Sequence, residues 1–192
     1  MIYRLAFLVF ISLGMALFGQ EDIYLNPEQH VLRGKGWTGI IAFEDGTCFK
    51  TLPDDAERVY EEWEHGDTLV LIPNTAYFGG SEYYIENCTK DELVHVDFHA
   101  APDKSDEYTW TIFHIDPYYG EIVISRAGGE KQEWKVEEKD LSLIQEWEKG
   151  DRITIGKNDV WYRQFVTNCR YIMLNCDKNE TGYIRIKLGE SL

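Results

Sequence analysis

The stretch EEWEHGD runs from Glu61 to Asp67, and QEWEKGD returns 84 positions later, from Gln145 to Asp151. The match extends beyond the heptads. At the same offset Val59-Tyr60 falls on Leu143-Ile144, Leu69 on Ile153 and Leu71 on Ile155, while Asn74, Tyr77 and Phe78 fall on Asn158, Trp161 and Tyr162. With a few added residues, Asn87-Cys88 meets Asn175-Cys176, LVHVDF (93–98) meets YIRIKL (183–188), and IIAFEDGTCFK (40–50) meets IVISRAGGEKQEWK (122–135). Agreement spread along two whole segments is the mark of internal duplication. The expected domains are residues 27–103 and 104–192, joined through the polar stretch AAPDKSDEY.

Each copy has the same local grammar. A β-branched run turns at Glu44-Asp45-Gly46, or at Ala127-Gly128-Gly129, and returns through Phe49 or Trp134, which predicts a hairpin. PDDAERVYEEWE then places Ala56, Val59, Tyr60 and Trp63 at helical spacing, with Asp54 and Glu57 positioned as a capping box; Leu143, Ile144 and Trp147 repeat the stripe behind Asp140. Gly66 and Gly150 follow His65 and Lys149, as a helix end prefers. The heptad therefore reads as a helix ending: a Trp that pins the helix to a sheet, a solvated turn, a Gly stop and an Asp entering the next strand. Three more short runs follow in each copy, the last with alternating apolar residues. The expectation is a mainly β chain of two tandem small β-barrel or sandwich domains, each of about five strands with one short helix after the second strand.

The pattern E-D-G-x-x-F/W, a short helix, W-x-x-G-D and N-x-x-x-W/Y-F/Y resembles a repeat of uncharacterised exported bacterial proteins. The first copy keeps Glu44-Asp45-Gly46 and Phe49, while the second has Ala127-Gly128-Gly129-Glu130 and keeps Trp134. The resemblance implies an exported β repeat and carries no known activity.

The N-terminus agrees with export. After Arg4 comes LAFLVFISLGMALF (5–18), about fourteen apolar residues, which is short for a bilayer core of roughly 30 Å. Residues 1–19 read as a signal peptide, with cleavage after Gly19 or Ala16, and no later stretch is apolar enough to span. A secreted, periplasmic or cell-envelope location follows. The formal charge is −15, and loss of Arg4 makes it about −16, which disfavours nucleic acid and anionic lipid as partners.

His95, Asp97 and His99 share one strand face and form a possible divalent-metal half-site. The second copy has Arg185, Lys187 and Gly189 there, so a solvated face is favoured and neither a metal nor a cofactor is expected. Gly34-Lys-Gly36-Trp-Thr-Gly39 matches G-x-G-x-x-G, but a strand rather than a helix follows, so the glycines read as a bend into the hairpin. The four cysteines leave Cys48–Cys88, Cys88–Cys176 and free thiols open, with Cys169–Cys176 disfavoured along one strand. Asn87-Cys-Thr89 and Asn179-Glu-Thr181 fit the glycosylation sequon. No G-x-S-x-G, H-E-x-x-H, C-x-x-C or phosphate loop occurs.

The candidate binding residues are Tyr77, Phe78, Trp161 and Tyr162, adjacent aromatics recurring at one offset in NTAYFGG and NDVWYRQF. Flat rings beside amides suit a protein or carbohydrate ligand, and equally suit closing a barrel end. The expected role is a non-enzymatic binding or interaction module. The alternatives are an envelope- or glycan-directed hydrolase using unidentified carboxylates, and a structural envelope component.

Overall fold

The computed structural model describes residues 26–75, 80–159 and 167–189. Among these residues twelve strands form two closed six-stranded barrels of identical topology. The first contains β1 (Gln29–Gly36), β2 (Ile40–Phe43), β3 (Cys48–Thr51), β4 (Thr68–Pro73), β5 (Tyr83–Asn87) and β6 (Glu92–Ala100) in the order β1-β2-β3-β6-β5-β4. The second contains β7 (Trp110–Asp116), β8 (Glu121–Ser125), β9 (Lys131–Val136), β10 (Arg152–Lys157), β11 (Tyr171–Asn175) and β12 (Tyr183–Leu188), ordered β7-β8-β9-β12-β11-β10. The tandem β domains expected from sequence are thus two barrels, all neighbouring strands antiparallel.

Each barrel has one strand more than the sequence reading. β1 and β7 precede the hairpin, so the helical element follows the third strand. Only the first copy forms an α-helix there, α1 (Pro53–Glu62); the second has a 3₁₀ turn, Glu138–Asp140, and further turns before Trp147. The capping box does not form. Leu52 is the N-cap without a side-chain bond, and Pro53 opens the helix, where its missing N–H costs nothing. Asp55 takes the structural role instead, pairing with Arg58 at 2.6 Å and accepting the His95 N–H at 3.2 Å. Of the predicted stripe, Val59 and Trp63 are buried, whereas half of Tyr60 is exposed, with the Lys35 ammonium 5.7 Å above its ring.

The repeated heptad does the same work twice. Gly66 and Gly150 take positive φ, 96° and 91°, and donate their N–H groups to Leu32 and Ile112. The Asp67 carboxylate accepts Glu64 N–H at 2.9 Å and the Asn87 amide at 2.8 Å; Asp151 accepts Glu148 N–H and the Asn175 amide at the same two distances. Asn87 and Asn175 in turn accept N–H groups of the following turns, Thr89 and Lys90 or Asp177 and Lys178. Both indoles are buried, each in its own barrel's core. They differ in one bond. Trp63 donates to Glu92 at 2.6 Å, while the Trp147 N–H meets no acceptor among the described residues.

The barrels are not independent. On β11, Met173 points into the second core, but its neighbours Ile172 and Leu174, with Cys176 beyond, join the first barrel's core beside Phe43, Leu71 and Ile85. Tyr183 packs there too, its ring centroid 6.3 Å from that of Tyr83. The outer face of the second barrel thus completes the first core. Close approach needs Gly156, where a Cβ would stand 2.5 Å from the Leu71 carbonyl oxygen.

A buried polar seam lines this junction. His30 stacks on Phe43 at 4.2 Å, its Nε2 2.8 Å from the Ile155 carbonyl oxygen and its Nδ1 3.2 Å from Glu44 Oε1. Both neighbours only accept, so both ring nitrogens carry protons and the ring is an imidazolium. Burial alone would lower its pKa, but the Glu44 carboxylate, helped by Asp45, pushes it up to about 9. Glu44 is held below its usual range, the His30 charge outweighing burial. Thr47 and Thr154 hydroxyls meet across the seam at 3.1 Å.

Candidate functional site

Tyr77, Phe78, Trp161 and Tyr162 lie outside the described residues, but the necks of their loops do not. Asn74 donates its backbone N–H to Glu82 O at 3.0 Å and its amide to Ser81 O at 2.9 Å. Asn158 makes the same pair of bonds to Arg170 O and Cys169 O, each at 2.9 Å. Each loop therefore starts and returns at an Asn-locked neck, which explains why Asn recurs in both copies.

Beside these necks lies a cleft of about 610 Å³ on the outside of the first barrel. Strand alternation builds it: Ile72 faces outward on β4, Tyr84 and Glu86 on β5, and Leu93 on β6, with nearly half of Leu93 exposed. Tyr84 is braced by the His95 ring at 4.6 Å. Glu86, Glu92 and, from the second barrel, Asp159 add carboxylates; Asp159 holds Lys157 at 2.8 Å and Glu92 holds the Trp63 indole. Thr75 and Asp159 both line the cleft. They are the last described residues before 76–79 and 160–166, so both aromatic loops leave from its rim.

Of the other sequence candidates, His95 and Asp97 have structural roles. His95 Nδ1 lies 3.0 Å from Ser81 Oγ, Asp97 accepts Glu82 N–H at 2.8 Å, and His99 is exposed. Among the described residues no group of three or more His, Cys, Asp or Glu side chains is arranged to hold a metal ion. Gly34 and Gly36 lie in β1, and Gly39, at φ 84°, turns the chain into β2, where a Cβ would meet Thr51 Oγ1 at 2.2 Å.

All four cysteines are free, so neither open disulfide pairing forms. Cys88 is exposed on the first barrel while Cys176 is sealed in the junction against Thr154, its thiol pushed up to about 12 chiefly by burial. Burial and the Glu137 carboxylate likewise push the Cys169 thiol up to about 11, which makes it a poor nucleophile. Asn87 is fully buried with its amide on Asp67, so the first sequon is closed to modification in the folded chain.

Two features escaped the sequence reading. One is the junction seam around His30, which depends on contacts 125 positions apart. The other is a pair of equivalent β-hairpin tips that carry exposed aromatics, Trp37 at 78% and Tyr118 at 82% exposure. Asp116 fixes the second tip by accepting the N–H groups of Tyr118 and Tyr119. Aromatics beside Gly39 and Gly120 were the signal that marked these turns.

No family model matches the sequence, and no curated protein or solved structure is significantly similar to it. Among the described residues no helix is long and apolar enough to cross a membrane.

Proposed function

We propose that the protein is an exported, non-enzymatic binding module whose ligand occupies the cleft on the first barrel and is gripped by Tyr77, Phe78, Trp161 and Tyr162. The observation that carries this reading is that Thr75 and Asp159, at the thresholds of both aromatic loops, line one cleft. A recurring aromatic pair whose sole task was to close its own barrel would not need a shared starting point. Concave shape, an apolar floor from Ile72, Pro73 and Leu93, and a few carboxylates at the edge suit a ligand with apolar faces and hydrogen-bond donors. Protein and carbohydrate both meet that description, and export would be directed by residues 1–19.

The test compares the mature chain with the Tyr77→Ala/Trp161→Ala variant for capture of glycans and of proteins from surface extracts. Saturable capture lost in the variant supports the proposal. Equal capture by both removes the loops as a site, and release of a cleaved product without stable capture replaces binding by hydrolysis.

A further inference from the structure

The cleft has a counterpart in the second barrel, and that counterpart is already occupied by protein. The ladders Leu71↔Ile85 and Ile155↔Met173 place Tyr84 and Glu86 where the second copy has Ile172 and Leu174; the ladders Glu86↔Leu93 and Leu174↔Tyr183 place Leu93 where it has Tyr183. Ile172, Leu174 and Tyr183 are the side chains that dock onto the first barrel. Ile72, Tyr84, Glu86 and Leu93 are lining residues of the cleft. One face of the repeat is therefore a protein-docking face in the second copy, and among the described residues the same face lines an open cleft in the first.

What changed between the copies is polarity. Leu174 is replaced by Glu86, and Asp91, Glu92 and Asp159 add negative charge around a surface that also presents Ile72, Pro73, Tyr84 and Leu93. An apolar docking face has become an acidic one with an apolar floor. We infer that the cleft receives a polypeptide segment that alternates lysine or arginine with apolar side chains. This inference rests on the binding reading above and names its ligand class. Cations meet the rim carboxylates while apolar side chains cover the Leu93 and Tyr84 surfaces, the division of labour expected where charge complementarity adds specificity to an apolar contact. Asp159 is already paired with Lys157 and Glu92 with the Trp63 indole, so Glu86 and Asp91 are the carboxylates a cationic segment would meet, and a neutral sugar would make no ionic contact with them.

The test titrates the mature chain with three probes: a synthetic peptide alternating Lys and Leu, the same peptide with Gln for Lys, and a neutral hexasaccharide. Calorimetry gives the affinity, and amide shifts in β4, β5 and β6 give the location. Glu86→Gln and Leu93→Ala are the cleft variants. Glu57→Gln, on the exposed side of α1, makes the same charge change away from the cleft. The expected result is that the Lys peptide binds and the Gln peptide does not, that Glu86→Gln and Leu93→Ala each weaken binding by at least about fivefold, and that Glu57→Gln leaves it within about twofold. Binding should also weaken between about 50 and 500 mM salt.

Equal weakening by Glu57→Gln would reduce the effect to net charge and overturn the inference. So would cleft shifts caused by the hexasaccharide but not by the Lys peptide, although the binding reading would survive that outcome. Concentration-dependent self-association through β4–β6 in sedimentation would name a second copy as occupant and also overturn it. If no probe moves the cleft amides the inference fails, and the capture comparison with Tyr77→Ala/Trp161→Ala then decides the broader reading by itself.

Discussion

Leu174→Ala should destabilise the barrel to which Leu174 does not belong. The side chain is 0% exposed, lies on the outward side of β11, and packs in the first barrel's core with Ile172 and Cys176. Truncating a buried leucine costs about 2–5 kcal/mol, rising with the cavity that remains. Here the cavity would lie between two closed barrels whose walls are fixed by antiparallel ladders, so collapse is limited and about 3 kcal/mol or more is expected. Denaturant melts give the total, and native-state hydrogen exchange gives the location. Amides around Leu71, Ile85 and Val94 should lose protection before those around Ile112 and Ile122. Met173→Ala, one residue earlier and pointing inward, should show the opposite order. A loss below about 1 kcal/mol, or protection lost first from the second barrel, would refute the claim that the second barrel completes the first core.

Three further outcomes follow from the same geometry. The raised pKa of His30 means that its charge stabilises the fold fully below pH 6.5, the unfolded value, and that this contribution is lost as pH rises through about 9. A loss on the order of 3 kcal/mol between pH 6 and pH 10 should appear in melts of the natural chain and be absent in His30→Gln; equal slopes would contradict the assignment. Asn87→Ala and Asn175→Ala should cost similar amounts, about 1–3 kcal/mol each, because they break the same buried latch; urea melts that differ by more than about 1.5 kcal/mol would show the latches to be unlike. Trp147→Ala should cost about 3–5 kcal/mol in a denaturant melt, and a loss below about 1 kcal/mol would show that its burial contributes little.

Most of the fold was legible because the duplication printed the same pattern twice. The Trp, Gly and Asp of the heptad are the residues that anchor, turn and latch in both barrels. β1 was not legible, since QHVLRGKG carries two glycines and four polar or basic residues and shows its alternation only when paired with β2 and β4. The second helix does not form although its stripe is present: Leu143, Ile144 and Trp147 keep the apolar spacing, but that segment is held by single turns around a buried Ile144 and Trp147. One signal for the junction stands in the sequence. YIMLN in the second copy is apolar on both faces where YYIEN is not, the composition of a strand covered on both sides. The cleft combines the outward faces of the neighbouring strands β4, β5 and β6 with Asp159 from the other copy, more than sixty positions away, and no local pattern could assemble it.

The dependence of the first core on Ile172, Leu174 and Cys176 also bears on the order of events during synthesis. A ribosome delivers the first copy before the second, yet the side chains that finish the first copy's interior are encoded in the second. Until about residue 176 has emerged, the first barrel must exist with part of its interior open to water. Strands of the second copy therefore close the core of the first, and maturation of the first barrel is tied to synthesis of the second.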